Sequence, residues 1–203
     1  MADLDAIARD KAQLREDLLG LREARDEWER RRAGAAACER LLALPEVAGA
    51  RRIFTCLSFG SELDTWGLVE RWLAEGREVY VPRADRATGL LHVYRYPCAL
   101  ATLSFGLQQP KRAEPELAPE AIDSTLDVAI VLGVGFDRRG FRLGYGSGFF
   151  DRFLANRPFP SVGLTFADQL VERLPAAPHD VPMRIVVSEI EVVRPEPTEA
   201  SPS

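Results

Sequence analysis

The segment RLGYGSGFFDR, Arg142 to Arg152, sets Gly144, Gly146 and Gly148 at every second position between two arginines. Glycine populates positive φ and carries no Cβ, so a G-Y-G-S-G run can bend until several backbone N–H groups converge on one concavity. Such a nest suits phosphate. Arg142 and Arg152 can add bidentate contacts to its oxygens, and the segment from Phe149 reads as a helix whose positive end faces the same anion. The segment is not a P-loop, since no Lys-Ser/Thr follows Gly148, and four residues separate Gly135 from Gly140, which excludes the GxGxxG dinucleotide fingerprint. Taken alone, a glycine cluster reads equally well as a plain turn.

The elements around this segment predict how it is held. Leu4, Ile7, Lys11, Leu14, Leu18, Leu21 and Trp28 recur at helical spacing, with Lys11 the single polar member of the stripe. Asp26 followed by Glu29 resembles a capping box, so a first helix is expected to break near Arg25 and a second to run to Leu44, stopped by Pro45. The N-terminus is thus read as a helical hairpin, with Trp28, Trp66 and Trp72 as packing residues. From Arg52 the pattern changes to short β-rich runs alternating with helices: RIFTCLSF, a helix from Asp64 to Leu73, EVYVP, then LLHVYRY. A Pro-rich, charged loop is expected from Phe105 to Pro119. DVAIVLGV, residues 127–134, has the continuous apolar character of a strand buried on both faces. FFDRFLANR reads as a helix, PSVGLTF and RIVVSEIEVV as strands, and Ala167 to Arg173 as a short helix. The fold class predicted is α/β: one open, mostly parallel Rossmann-like sheet flanked by helices, with ligands at loops leaving the carboxyl ends of strands. One domain spans residues 1–193, and the tail 194–203, RPEPTEASPS with Arg194 as its first residue, is expected to be disordered.

The chain has 203 residues, a formal charge of −5 and 46% hydrophobic residues, which fits one globular domain and argues against coating nucleic acid or an anionic membrane. Cys38, Cys56 and Cys98 lack CxxC spacing, so neither a disulfide framework nor a zinc site is expected. The opening is acidic where a signal peptide is basic, and no apolar run reaches the ~20 residues needed to cross a bilayer. The expectation is a cytoplasmic monomer without nucleic-acid or membrane partners.

The longer stretch GFDRRGFRLGYGSGFFDRFL resembles the signature of the 5-formyltetrahydrofolate cyclo-ligase (methenyltetrahydrofolate synthetase) family, a pattern like FDxxGxRLGxGxGYYDR that marks an ATP site. The resemblance runs from about Leu4 to Val192. It implies that Lys11, Arg15, Arg142, Leu143, Gly144, Tyr145, Gly146, Ser147, Gly148, Phe149 and Phe150 bind ATP, with Arg142 and Arg152 acting on the transferred phosphate. It implies further that Leu57 and Glu62, with Tyr145 to Phe149, meet a reduced folate, and that Asp151 and Asp180 hold Mg²⁺. The reaction implied is ATP-dependent closure of 5-formyltetrahydrofolate to 5,10-methenyltetrahydrofolate. Phe149 and Phe150 stand where the family has two tyrosines, Leu132 where proline is common, and Gln109 and Arg184 where acids are common. Two other readings fit the residues: a diverged ATP-binding relative acting on another formamide or carboxylate, and a non-catalytic interaction protein.

Overall fold

In the computed structural model, which describes residues 2–196, the β-rich runs join one seven-stranded sheet. Three helices precede it: α1 (Ala2–Ala24), α2 (Glu27–Leu42) and α3 (Pro45–Ala48). Asp26 caps α2 by accepting from the backbone N–H of Trp28 at 2.6 Å. Glu29 returns no bond among the described residues, so half of the expected capping box is present. Pro45 opens α3 at its first turn, where its missing N–H costs nothing, rather than only ending α2.

The sheet then follows as β1 (Arg52–Thr55), α4 (Trp66–Ala74), β2 (Glu78–Asp85) and β3 (Leu90–Tyr96). A small hairpin, β4 (Leu100–Thr102) with β5 (Gln108–Pro110), occupies part of the stretch expected to be loop. Next come α5 (Ile122–Thr125), β6 (Val128–Leu132), β7 (Gly135–Asp137), β8 (Arg142–Leu143), α6 (Phe149–Leu154) and β9 (Ser161–Leu164). The last strands are β10 (Leu170–Val171), β11 (Ile185–Val187) and β12 (Val192–Val193).

Strand order is β12-β11-β9-β6-β1-β2-β3, parallel from β11 to β2 and antiparallel at both edges. Every residue of β6 is buried, as its continuous apolar run requires. Val128 and Ile130 face one core with Leu41 and Trp72, while Ala129 and Val131 face another with Phe54, Phe153 and Phe159. This alternation places α2 and α4 on one face and α6 on the other, giving three layers.

Three local expectations are corrected. Ala167 to Arg173 is not a helix: a 3₁₀ turn at Ala167–Gln169 leads into β10, which pairs with β7 and so takes the backbone bonds a helix would need. RIVVSEIEVV is not one strand, because Ser188 turns the chain, accepting at Oγ from the N–H groups of Ile190 and Glu191, and β12 returns antiparallel to β11. Trp28 is 64% exposed and lies under the Arg32 guanidinium, so it does not pack in the core, whereas Trp72 is fully buried. Of the expected tail, Arg194 pairs with Glu46 at 2.7 Å, and residues 197–203 lie outside those described. Among the described residues no helix is long and apolar enough to cross a membrane.

Candidate functional site

From β1 the chain winds through α4 to β2 on one side, while β6 leads on to β9 on the other. The strand order therefore switches direction between β1 and β6, and a crevice must open beyond their carboxyl ends. A cleft of about 1230 Å³ opens there, lined at its floor by Cys56, Leu57, Leu132 and Gly133. Lys11 and Arg15 of α1, Glu62, the loop from Arg142 to Asp151, and Asp180 complete its polar lining. Of the residues expected to form the site, all but Arg152 line this one cleft.

The glycine loop bends as its composition demands, with Gly146 at φ 98° and Gly148 at φ 64°. Both values lie where a Cβ is strained. The helix behind it, α6, has only six residues, so side chains rather than a helix dipole must supply most of the positive charge. Arg142 is the principal source. Its side chain is 3% exposed, its Nη2 pairs with Asp151 at 3.1 Å, and it lies over the ring of Phe150. Burial works against its charge and lowers its pKa, with Asp151 opposing that shift. Its Nε and Nη1 are buried without a partner, an arrangement that leaves two donors for an incoming anion.

Arg152 is used differently from the expectation. Its Nε donates to Gly89 O at 2.8 Å and its Nη2 to Ser147 O at 2.7 Å, so it pins the glycine loop to the β2–β3 turn. Those bonds occupy the fork that a phosphate would require. Arg15 likewise donates from Nε to Gly144 O at 2.7 Å, and Lys11, one turn earlier on α1, forms an ion pair with Asp180. Asp151 also accepts from Val181 N–H at 3.3 Å, and Asp180 from Ala177 N–H at 2.7 Å. No group of three or more His, Cys, Asp or Glu able to hold a metal occurs among the described residues. Mg²⁺, however, is commonly held by one or two carboxylates plus waters and substrate phosphates, so Asp151 and Asp180 fit it once a phosphate competes for their cationic partners.

A second part of the lining, joined to the glycine loop through Tyr145, is acidic and aromatic. Glu62 accepts from Tyr145 OH at 2.9 Å and from Phe59 N–H at 3.2 Å. Burial pushes its carboxyl pKa up, against those two bonds and the Arg22 charge. It is not a first-turn residue of α4, which starts at Trp66, whose N–H donates to Asp64 Oδ1 at 2.9 Å. The Phe59 ring lies edge-on to Phe105 and tilted against Tyr145, with ring centroids 5.5 and 5.8 Å apart, and Phe149 and Phe150 also line the cleft. Gln109 lines the cleft and accepts from Ala84 N–H at 3.3 Å. Arg184 lies away from it and donates to the carbonyls of Pro158 and Arg157.

Sequence reasoning missed Arg22, Cys56, Phe59 and Phe105. Arg22 lies four residues after Leu18, on the buried face of α1, but a charged side chain there reads as a solvated flank of the apolar stripe. Cys56 follows β1 directly, and burial pushes its thiol up to about 12, so it stays protonated. The signal that did exist was the apolar stripe itself: Leu4 and Ile7, with no core to join, line the cleft.

The 5-formyltetrahydrofolate cyclo-ligase family matches residues 7–189. A 5-formyltetrahydrofolate cyclo-ligase of Escherichia coli strain K12 is 35% identical over 165 residues, covering 78% of this chain and 89% of the relative. Another, from Mycolicibacterium smegmatis, is 34% identical over 187 residues, covering 89% and 94%. The solved 5,10-methenyltetrahydrofolate synthetase of Aquifex aeolicus superposes with a TM-score of 0.77 at 30% identity, covering 95% of this chain and 96% of that one. With the fold, the cleft and the glycine loop agreeing with a match over nearly the whole chain, this chain belongs to the 5-formyltetrahydrofolate cyclo-ligase family.

Proposed function

We propose that the chain catalyses ATP-dependent closure of 5-formyltetrahydrofolate to 5,10-methenyltetrahydrofolate, releasing ADP and phosphate. The observation that carries this reading is a single cleft with two chemically opposed walls: the buried, half-partnered Arg142 beside the glycine loop, and Glu62 among aromatic rings. Its volume of about 1230 Å³ exceeds the ~300–1,000 Å³ usual for one small-molecule ligand, which suits a nucleotide and a folate meeting there.

A formamide carbon is a poor electrophile. Attack of the formyl oxygen on the γ-phosphorus forms an O–P bond as the β–γ bridge breaks and ADP leaves. The folate N10 lone pair then attacks the activated formyl carbon, the C–O electron pair departs with phosphate, and the N10 proton passes to solvent. Phosphoryl transfer needs position and neutralised charge rather than a protein nucleophile. Arg142 would neutralise the transferred group, the loop N–H groups would orient the phosphates, and Arg152 and Arg15 would hold the loop in shape. Asp151 and Asp180 would hold Mg²⁺, which when bound supplies positive charge to the phosphate oxygens. Glu62 would accept from the donor-rich edge of the pterin. Phe149 and Phe150 would wall off water.

Purified protein given 5-formyltetrahydrofolate and MgATP is expected to generate the methenyl chromophore. Phe149→Tyr and Phe150→Tyr are each expected to change kcat by less than about tenfold, because the charges that phosphoryl transfer demands are already present. A larger rise, or no turnover despite a MgATP-dependent increase in melting temperature, would indicate a different formamide or carboxylate substrate. Lys11→Ala removes a cation that could exchange Asp180 for a phosphate oxygen. The loss of one charged hydrogen bond, ~1.5–3 kcal/mol, should weaken MgATP binding by roughly 10- to 150-fold in titration calorimetry. Unchanged affinity would remove Lys11 from the nucleotide site.

A further inference from the structure

Arg22 is a buried arginine with no part in the nucleotide wall, yet it reaches the folate wall through two residues. On α1 it is 4% exposed, donates from Nε to Ser61 Oγ at 3.0 Å and from Nη2 to Tyr145 OH at 3.1 Å. That hydroxyl accepts from Arg22 and passes its own proton into a 2.9 Å bond to Glu62 Oε1. We propose that Arg22 is a positioning residue for the folate subsite: through the Tyr145 hydroxyl and Ser61 it holds the Glu62 carboxylate in place for the pterin's N–H donors. This inference rests on the folate reading above.

The physical need is clear from the surroundings of Glu62. Among the described residues its other oxygen is held only by Phe59 N–H, and burial favours the protonated acid, which cannot accept in bidentate fashion from two donors. The groups that face it are Tyr145 from the glycine loop, Arg22 from α1 and Cys56 from the end of β1. Cys56 is a neutral thiol, so among these three Arg22 is the only positive charge. A hydroxyl polarised by an arginine on one side is a better donor to the carboxylate on the other. The arrangement also ties α1, which supplies Lys11 and Arg15 to the nucleotide wall, to the loop that carries Glu62.

The test uses the full chain with Arg22→Gln, Arg22→Lys and Tyr145→Phe. In Arg22→Gln, kcat/KM for 5-formyltetrahydrofolate should fall by about tenfold or more while KM for ATP moves by less than about twofold. Its acidic limb should move to higher pH, because a carboxyl deprived of the arginine ionises later. Arg22→Lys should restore part of the loss, and Tyr145→Phe, altering a half-exposed side chain that threatens the fold least, should reproduce it. Equal losses toward both substrates, or an unmoved pH profile, would overturn the proposal. If the native protein fails to turn over the folate, the functional reading fails, and the carboxyl resonance of Glu62 in the ligand-free protein still decides this one. A titration midpoint displaced upward in Arg22→Gln supports it, and an unchanged midpoint defeats it.

Discussion

Arg142→Gln is expected to lower kcat by about 100- to 1,000-fold while the protein remains folded. The magnitude is that of removing one preorganised donor to a developing oxyanion, ~2.7–4 kcal/mol. It applies here because Arg142 is fixed before any substrate arrives. Its side chain is almost fully buried, Asp151 holds one end, and the Phe150 ring covers the guanidinium, so little reorganisation remains at the moment of transfer. The Nε and Nη1 donors carry the cost of burial without partners in the free protein. That cost is recovered when an anion binds, so the site spends stability on affinity for charge. Arg142→Lys separates the two contributions: the charge opposite Asp151 is kept, but the planar fork is lost, and kcat should still fall by about tenfold or more. Steady-state kinetics with circular dichroism on both variants provides the check. A glutamine variant within tenfold of native kcat would show that Arg142 is structural.

The largest effect on stability is expected from Gly140→Ala, about 3 kcal/mol or more. Gly140 lies at φ 86°, closing the turn between β7 and β8, and its N–H donates to Asp137 O at 2.9 Å. An added Cβ would overlap the backbone carbonyl of Met183 and come within 3.0 Å of Pro195 Cγ. Backbone cannot swing aside as a long side chain can, and Met183 N–H donates to Gly140 O at 2.8 Å, so displacement breaks a second bond. Strain at a positive φ, ~1–3 kcal/mol, therefore adds to overpacking of ~1–3 kcal/mol. The turn delivers Arg142 two residues later, so activity should fall along with the denaturant midpoint. A midpoint corresponding to less than about 1 kcal/mol of lost stability would mean that the turn relaxes freely.

The sequence by itself determined the strand-helix alternation, the buried character of β6 and the glycine loop, because each follows from local chemistry. A continuous apolar run has no polar face to offer water, and alternate glycines permit a bend that other residues resist. The most specific part of the family resemblance likewise rested on residues close together in the chain, from Gly135 to Leu154, although the likeness ran from about Leu4 to Val192. Only the tertiary structure decided how the charges are shared. Arg142 and Arg152 flank the same loop and have the same chemistry, yet one is buried against Asp151 with two donors free and the other is bound to Gly89 O and Ser147 O. Lys11 meets Asp180 across 169 positions, and Tyr145 meets Glu62 across 83. No local pattern encodes such pairings. Arg22 shows the same limit most sharply: its spacing from Leu18 puts it on the buried face of α1, but only the folding of the glycine loop over that face puts it beside Tyr145. Trp28 and the segment 167–173 failed in the opposite direction. Their local patterns were sound, but the helix break at Asp26 leaves Trp28 on the exposed start of α2 beside Arg32, and pairing of β10 with β7 takes the backbone bonds at Leu170–Val171, so tertiary context outweighed local preference.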